Sequence, residues 1–332
     1  MENDIKIMQK SFTDSLIKYK EHFGKAFPVL GLKNASPEQI IEQIEEAINK
    51  NIAFTEIELM HKEKNKDLKK IQISYSEVID KIKESMSDIG YNYNLLINEY
   101  NDIAELRKQG HLFTFKEHLS ALILAQLYNE RWGDNNIREN IDKVRLIFKD
   151  YDKEVLKQAD KDEIFNSLYK INCTNPITRR ILNGLNQNIE TFERIEKDYG
   201  SIDNFITSKD INKIADCFYE GKYKLIQVGV LIAYDYLRRV GMVVCNPRYQ
   251  LSRLLGNDRL GLIDKKKATR SQVLALVQKM SEETGISVLE LNHLLWQFCI
   301  QRGGNICLPT PNCNYCKLRN YCNYNCNSDV EQ

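Results

Sequence analysis

Little in this chain would interrupt a helix. Six prolines and fifteen glycines are spread over 332 residues, and these are the residue types that break helical segments. Leu, Ile, Lys, Glu and Asn dominate, with apolar residues recurring at three- and four-residue spacing, the period of an amphipathic helix. An all-α protein is expected. Long apolar runs are also missing: no stretch reaches the roughly 18 uninterrupted apolar residues of a membrane span, so no membrane role is expected. The opening residues, MENDIKIMQK, lack the apolar core of a secretory signal, and a cytoplasmic location is the expectation. In that compartment the nine cysteines read as thiols or metal ligands rather than disulfides.

Net charge is nearly absent too, at +1, which as an average argues against a nucleic-acid partner. The distribution reverses that. Between Gly221 and Lys279 twelve Lys or Arg, among them Arg238, Arg239, Arg248 and Arg253, are opposed only by Asp235, Asp258 and Asp264. A concentrated basic stretch on a near-neutral chain is what phosphate-backbone binding requires. A solvated helical surface without a ligand would carry the same pattern.

The length allows two domains. Residues 1–110 read as an N-terminal helical domain with no catalytic constellation, suited to packing, self-association or docking of a protein partner. One helix there has a clear start, Ser36-Pro37-Glu38-Gln39, an N-cap, a first-turn proline and a Gln three residues on. Ile40, Ile41, Ile44 and Ala47 then fall near one face. Leu59 to Met86 is Lys- and Glu-rich and reads as a long exposed helix or hairpin. A second unit, 111–332, begins with a nearly all-apolar helix through Ala121-Leu122-Ile123-Leu124-Ala125-Gln126, and Ser201 and Ser208-Lys209-Asp210 mark later helix starts.

The strongest chemical signal is Cys307-x5-Cys313-x2-Cys316-x5-Cys322. Four thiolates so close in sequence can converge on one centre, and soft sulfur selects zinc or an iron–sulfur cluster over hard cations. Zinc ribbons present two close Cys pairs. A single close pair between two singletons instead favours a [4Fe–4S] cluster, with zinc the alternative and free thiols the bland one. Cys326 is a spare ligand, while Cys173, Cys217, Cys245 and Cys299 sit among apolar neighbours as core thiols.

This cysteine pattern resembles the iron–sulfur loop of endonuclease III-type proteins in the helix-hairpin-helix DNA glycosylase superfamily, where the first gap is usually one residue longer. His293-Leu294-Leu295-Trp296-Gln297-Phe298 through Gly303 and Gly304 resembles the approach to that loop. Ala125-Gln126 matches the early buried helix, and Leu225-Ile226-Gln227-Val228-Gly229-Val230-Leu231-Ile232-Ala233 resembles the hairpin, with Gln227 where a Gly is usual. The resemblance covers about residues 110 to 322. It implies two helical lobes plus a cluster loop, and double-stranded DNA with a modified, damaged or mispaired base as partner. It also implies phosphate binding at the hairpin by Gln227, Val228 and Gly229, whose backbone N–H groups would sit at a helix N-terminus. Gln126 would fill the gap left by an extruded base, with a core amide bonded to backbone as the competing reading, and Tyr128, Trp132, Tyr249 and Trp296 are candidate stacking rings or, at helical spacing, core aromatics.

Family members hydrolyse the N-glycosidic bond of a flipped base with a carboxylate near C1′, and lyases add a hairpin Lys. Here Leu231 takes the Lys position, so lyase chemistry is not expected. The carboxylate slot falls on Asn246 or, in the other register, Arg248. Asp235, one turn beyond Leu231, is the candidate replacement, with a buried ion pair to Arg238 or Arg239 as the competing reading. Two functions follow: monofunctional base excision, and DNA recognition without hydrolysis. A zinc-held protein scaffold would leave the basic stretch without a role.

Overall fold

The computed structural model describes residues 2–24, 27, 37–50, 73–92, 97–128 and 134–324. Every regular element among them is helical, as the shortage of breakers requires. None of these helices is long and apolar enough to cross a membrane. The chain divides after Lys69 into two compact units.

The first unit contains α1 (Glu2–Phe23) and α2 (Pro37–Lys50). Ile40, Ile44 and Ala47, on the stripe read from the sequence, form a small core with Tyr19 and Phe27. The Ser36 cap lies outside the described residues.

The second unit runs α3 (Tyr75–Asp88), α4 (Ile97–Lys108), α5 (Phe115–Leu127), α6 (Asp134–Glu139), α7 (Ile141–Ile147), α8 (Lys153–Gln158), α9 (Lys161–Lys170), α10 (Thr178–Tyr199), α11 (Ile202–Thr207), α12 (Ile211–Tyr219), α13 (Val230–Arg239), α14 (Tyr249–Leu255), α15 (Arg270–Thr284) and α16 (Val288–Phe298). Their starts are chemically marked. Ser201 and Asp210 accept first-turn N–H groups as expected, and Thr114 and Thr269 close full capping boxes with Glu117 and Gln272, satisfying donors that would otherwise be orphaned.

Two cores result. The first gathers Leu122, Ile189, Phe192, Phe205 and Tyr236 from α5 to α13. The second gathers Leu254, Val277, Leu294, Phe298 and Leu318 from α14 onward, and closes with Val78, Ile79, Ile82 and Met86 of α3. Each such side chain contributes about 1.5–3 kcal/mol when fully buried.

The boundary expected at residue 110 therefore moves to 69/70. Helix α3 cannot stand with the N-terminal part, because its apolar stripe is the missing wall of the second core. The exposed helix expected over 59–86 is corrected in the same way: the described part begins at Tyr75, behind a Ser74–Glu77 capping box, and is half core. Residues 59–72 lie outside the description. Helix α4 is likewise integral, since Arg107 Nε donates to Val240 O at 2.6 Å. It lies against Gly241, where a Cβ would stand 2.9 Å from the Arg107 Cβ.

Candidate nucleic-acid interface and cysteine loop

Helices α12 and α13 form a hairpin, and its turn is built from the inside. Tyr223, Leu225 and Val228 are buried. Ile226 is held on three sides: its N–H donates to Asn188 Oδ1 at 2.6 Å, and its carbonyl accepts from Gln126 Nε2 at 2.8 Å and Asn188 Nδ2 at 3.2 Å. Gly184 of α10 lets Ile226 press in, for a Cβ there would lie 2.4 Å from Ile226 Cγ2.

Gln227 takes φ +57°, the left-handed region where a non-glycine residue costs about 1 kcal/mol. The usual glycine is absent but its backbone conformation is kept. Gly229 then occupies the N-cap of α13 in extended conformation, exposed, with no side chain capping the helix. A Cβ on Gly229 would meet nothing within 4 Å. The turn is rigid and its outer face is open.

The residues expected to read DNA fall elsewhere. Gln126 is 2% exposed and braces the hairpin from within. Asn188, the matching brace on α10, escapes sequence reading, although an amide on the same face as Leu185, Ile189 and Phe192 was a signal. Arg238 and Arg239 are buried: Arg238 Nη2 donates to Asp235 Oδ1 at 2.7 Å and Arg239 Nε to Oδ2 at 3.0 Å. Their guanidinium carbons lie 4.5 and 5.6 Å from the Tyr100 ring centroid, and Arg239 also covers Tyr128 at 4.2 Å. Arg253 is buried as well, with Nη2 on Cys307 O at 2.5 Å. These three arginines are buried and each places a guanidinium donor on a buried acceptor, while Arg238 Nε and Arg253 Nε are left without a partner among the described residues. Arg248 is half-buried, 5.0 Å from the Trp296 ring.

The candidate catalytic groups are similarly occupied. Asp235 is 6% exposed and also accepts from Tyr100 Oη at 3.0 Å. Burial alone would raise its carboxyl, but the charges of Arg239 and Arg238 hold it below the ordinary range. The ion-pair reading of Asp235 is the one realised. Asn246 is fully buried; its Nδ2 donates to Leu231 O at 3.0 Å and its N–H to Asn292 Oδ1. It ties the first turn of α13 to the segment entering α14.

Cys307 is buried, and its N–H donates to Phe298 O at 2.9 Å. Cys313 opens one 3₁₀ turn, Cys316 N–H donates back to Cys313 O at 3.1 Å, and Cys322 follows a second turn, Arg319–Tyr321. A hydrogen bond from Cys299, with Arg259 and Arg253 nearby, brings Cys307 down to about 7. Burial pushes the Cys316 thiol up to about 12, with Cys307, Cys322 and Cys313 all near enough to act in the same direction. Among the described residues no three His, Cys, Asp or Glu side chains close on a single-ion site. Cys173, Cys245 and Cys299 are buried free thiols and Cys217 is half-buried, while Cys326 and Trp132 lie outside the described residues.

The loop is strapped into the second core. Ser85 Oγ accepts from Lys317 N–H at 2.9 Å, Lys317 Nζ pairs with Asp88 at 2.6 Å, and Arg259 Nη2 reaches Pro309 O at 3.1 Å.

No protein-family model and no curated protein matches the chain. Among solved structures it is similar to the Methanocaldococcus jannaschii 8-oxoguanine glycosylase/lyase in complex with a 15mer DNA containing 8-oxoguanine. The identity is 18%, over 66% of this chain and 95% of that one, with a TM-score of 0.40.

Proposed function

We propose that the chain is a glycosylase-like, helix-hairpin-helix DNA-binding protein that grips duplex backbone at the start of α13 and carries a [4Fe–4S] cluster in its C-terminal loop. The observation carrying this is the exposed, uncapped N-terminus at Gly229, on a turn locked from behind by Gln126, Asn188 and Gly184. Such a terminus offers unpaired N–H groups at the positive end of a helix dipole, which bind phosphate without a basic side chain. Recognition is favoured over excision because the Asp235 carboxylate is taken up by Arg238, Arg239 and Tyr100, and Asn246 is fully buried with its amide nitrogen on Leu231 O.

A methyl group at Gly229 enters open space on the protein side but occupies the position of an approaching phosphate. Gly229→Ala is expected to weaken binding of a labelled duplex roughly 10- to 100-fold, the loss of one or two charge-assisted hydrogen bonds. Stability should stay within about 1 kcal/mol of the parent. Anisotropy titrations and thermal melts measure both; unchanged affinity would sink the hairpin reading. Abasic product from a duplex carrying a modified or mispaired base, in a single-turnover assay, would overturn recognition alone and restore excision.

Cys307, Cys313, Cys316 and Cys322 would hold the cluster. The chemistry of the donor set supports this: four soft thiols share one strapped loop, with Cys307, Cys322 and Cys313 all near enough to Cys316 to add to burial in pushing its thiol up. Bound there, the cluster supplies a rigid cross-link among segments too short to have a core of their own. Anaerobically purified protein is expected to contain about four iron and four sulfide per chain, both lost in Cys316→Ser. Stoichiometric zinc without sulfide would remove the cluster.

A further inference from the structure

The chain leaving α16 turns back on the helix it has just left. Gly303 N–H donates to Ile300 O at 3.2 Å, Gly304 N–H to Gln297 O at 2.9 Å and Asn305 N–H to Ile300 O at 3.0 Å. A Cβ on Gly303 would lie 2.6 Å from Gln297 O, so only a glycine lets the returning chain press against the helix end. Asn305 takes φ +54°, and Cys307 N–H then closes on Phe298 O at 2.9 Å. The Cys307 carbonyl is held as well, by Arg253 Nη2 at 2.5 Å. On the helix side Tyr91 Oη donates to Gln297 Oε1 at 2.6 Å and anchors the same turn.

This closure sets two thiols side by side. Cys299, the residue that ends α16, and Cys307 are both buried in the second core, and their side chains hydrogen-bond to each other. The four-cysteine spacing gives Cys299 no part, and a small apolar side chain would fill its place in the core equally well. Sulfur against sulfur permits a reaction closed to an apolar neighbour. A short approach brings a hydrogen-bonded pair to the roughly 2 Å of a disulfide.

We propose that Cys299 and Cys307 are a peroxide-oxidised pair, in which Cys299 traps Cys307 as a disulfide whenever the loop is without its cluster. Cluster and disulfide compete for one sulfur, and to that extent the proposal rests on the cluster reading. The Cys307 sulfur attacks one oxygen of hydrogen peroxide, the O–O bond breaks, and a sulfenic acid and water form. The Cys299 sulfur then attacks the Cys307 sulfur. The S–O bond breaks, the S–S bond forms, and the hydroxyl leaves as water with the Cys299 proton. Two electrons pass from the two thiols to the peroxide. Burial favours this end point, because a second peroxide must compete with a thiol already in contact with the sulfenic acid. The oxidation therefore stops short of sulfinic acid, and a dithiol reductant returns Cys307 to the cluster.

The test exposes the full, cluster-loaded chain to hydrogen peroxide, alkylates it and cuts it with trypsin. Cys299 is the single cysteine between Lys279 and Arg302, and the next tryptic segment, ending at Lys317, carries Cys307, Cys313 and Cys316. A disulfide from Cys299 therefore joins two peptides, and fragmentation of the joined pair assigns the second sulfur. The expected product links Cys299 to Cys307, and after dithiothreitol the parent takes up iron and sulfide to its starting content. Cys299→Ser and Cys299→Ala are expected to match the parent's iron and sulfide before oxidation. After it they should carry Cys307 as sulfinic or sulfonic acid and fail to reload. A link confined to Cys313 and Cys316, an unlinked Cys299, or variants that reload as fully as the parent overturns the pair. The two readings fail separately: iron and sulfide counts on untreated protein decide the cluster. The peptide link, expected on metal-stripped protein as well, decides the pair.

Discussion

Asp235→Asn is expected to destabilise the protein by about 3–5 kcal/mol, the cost of removing one partner from a buried ion pair. The two guanidiniums of Arg238 and Arg239 share that carboxylate at 2.7 and 3.0 Å, and Tyr100 donates a third bond to it. An amide of the same shape keeps the volume, loses the charge and turns a donor toward donors. Such a loss is a large share of the roughly 5–15 kcal/mol that holds a typical domain, and urea titration would read it directly. The result also discriminates between roles. Catalytic carboxylates can often be neutralised with stability unchanged or improved, so an Asp235→Asn protein as stable as its parent would count against the buried-pair reading and reopen the catalytic one.

A second large effect is expected at Asp203, in both stability and pH response. Arg107 clamps it through Nη2 at 2.6 Å and Nη1 at 3.3 Å, and His118 Nε2 stands 3.4 Å away. Burial would raise the carboxyl, but the bonds to His118 and Arg107 and the charge of Arg107 more than reverse it, to about 2. A carboxyl lowered by folding stabilises the native state above its unfolded value, near 3.8, and that contribution disappears as pH falls through about 2. His118 acts in the same direction from a higher pH. Burial lowers it below its ordinary 6.5, so acidification below that value charges the unfolded chain first and draws the equilibrium toward it. Unfolding free energy should therefore decline from about pH 6.5 downward and steepen between about pH 4 and 2. Asp203→Asn should flatten the lower part of that decline and cost about 3–5 kcal/mol near neutrality. A variant with the parent's acid profile would reject the clamp as its origin.

The helical class, the caps at Ser201 and Asp210 and the hairpin around Gly229 were legible because each is a local matter of spacing and residue type. The arginines were legible in part. The pairing of Arg238 and Arg239 with Asp235 is local, at three and four residues, and stood as the competing reading, but a charge count also registers Arg253 as part of a basic stretch, and its fate is decided by a distant partner: Cys307 lies 54 residues away. Gln126 was noticed for its position with both directions open, because a single amide on an apolar helix can turn toward a ligand or toward backbone; it turns to the backbone of Ile226. The domain boundary failed for a related reason. Val78, Ile79, Ile82 and Met86 make a sparse stripe in a charged segment, and nothing nearby reveals that helices near the other end of the chain complete it.

That long-range closure bears on how the protein is made. Tyr91 bonds Gln297 and Ser85 bonds Lys317, pairs separated by 206 and 232 residues. At ribosomal rates of roughly 5–20 residues per second, α3 waits about 10–40 s for its partners to be synthesised. The lobe built from α5 to α13 is contiguous in sequence and can collapse on the nascent chain, whereas the other can seal only once α16 and the cysteine loop have been synthesised. Until then an apolar helix face is left bare, a window in which chaperone binding competes with aggregation.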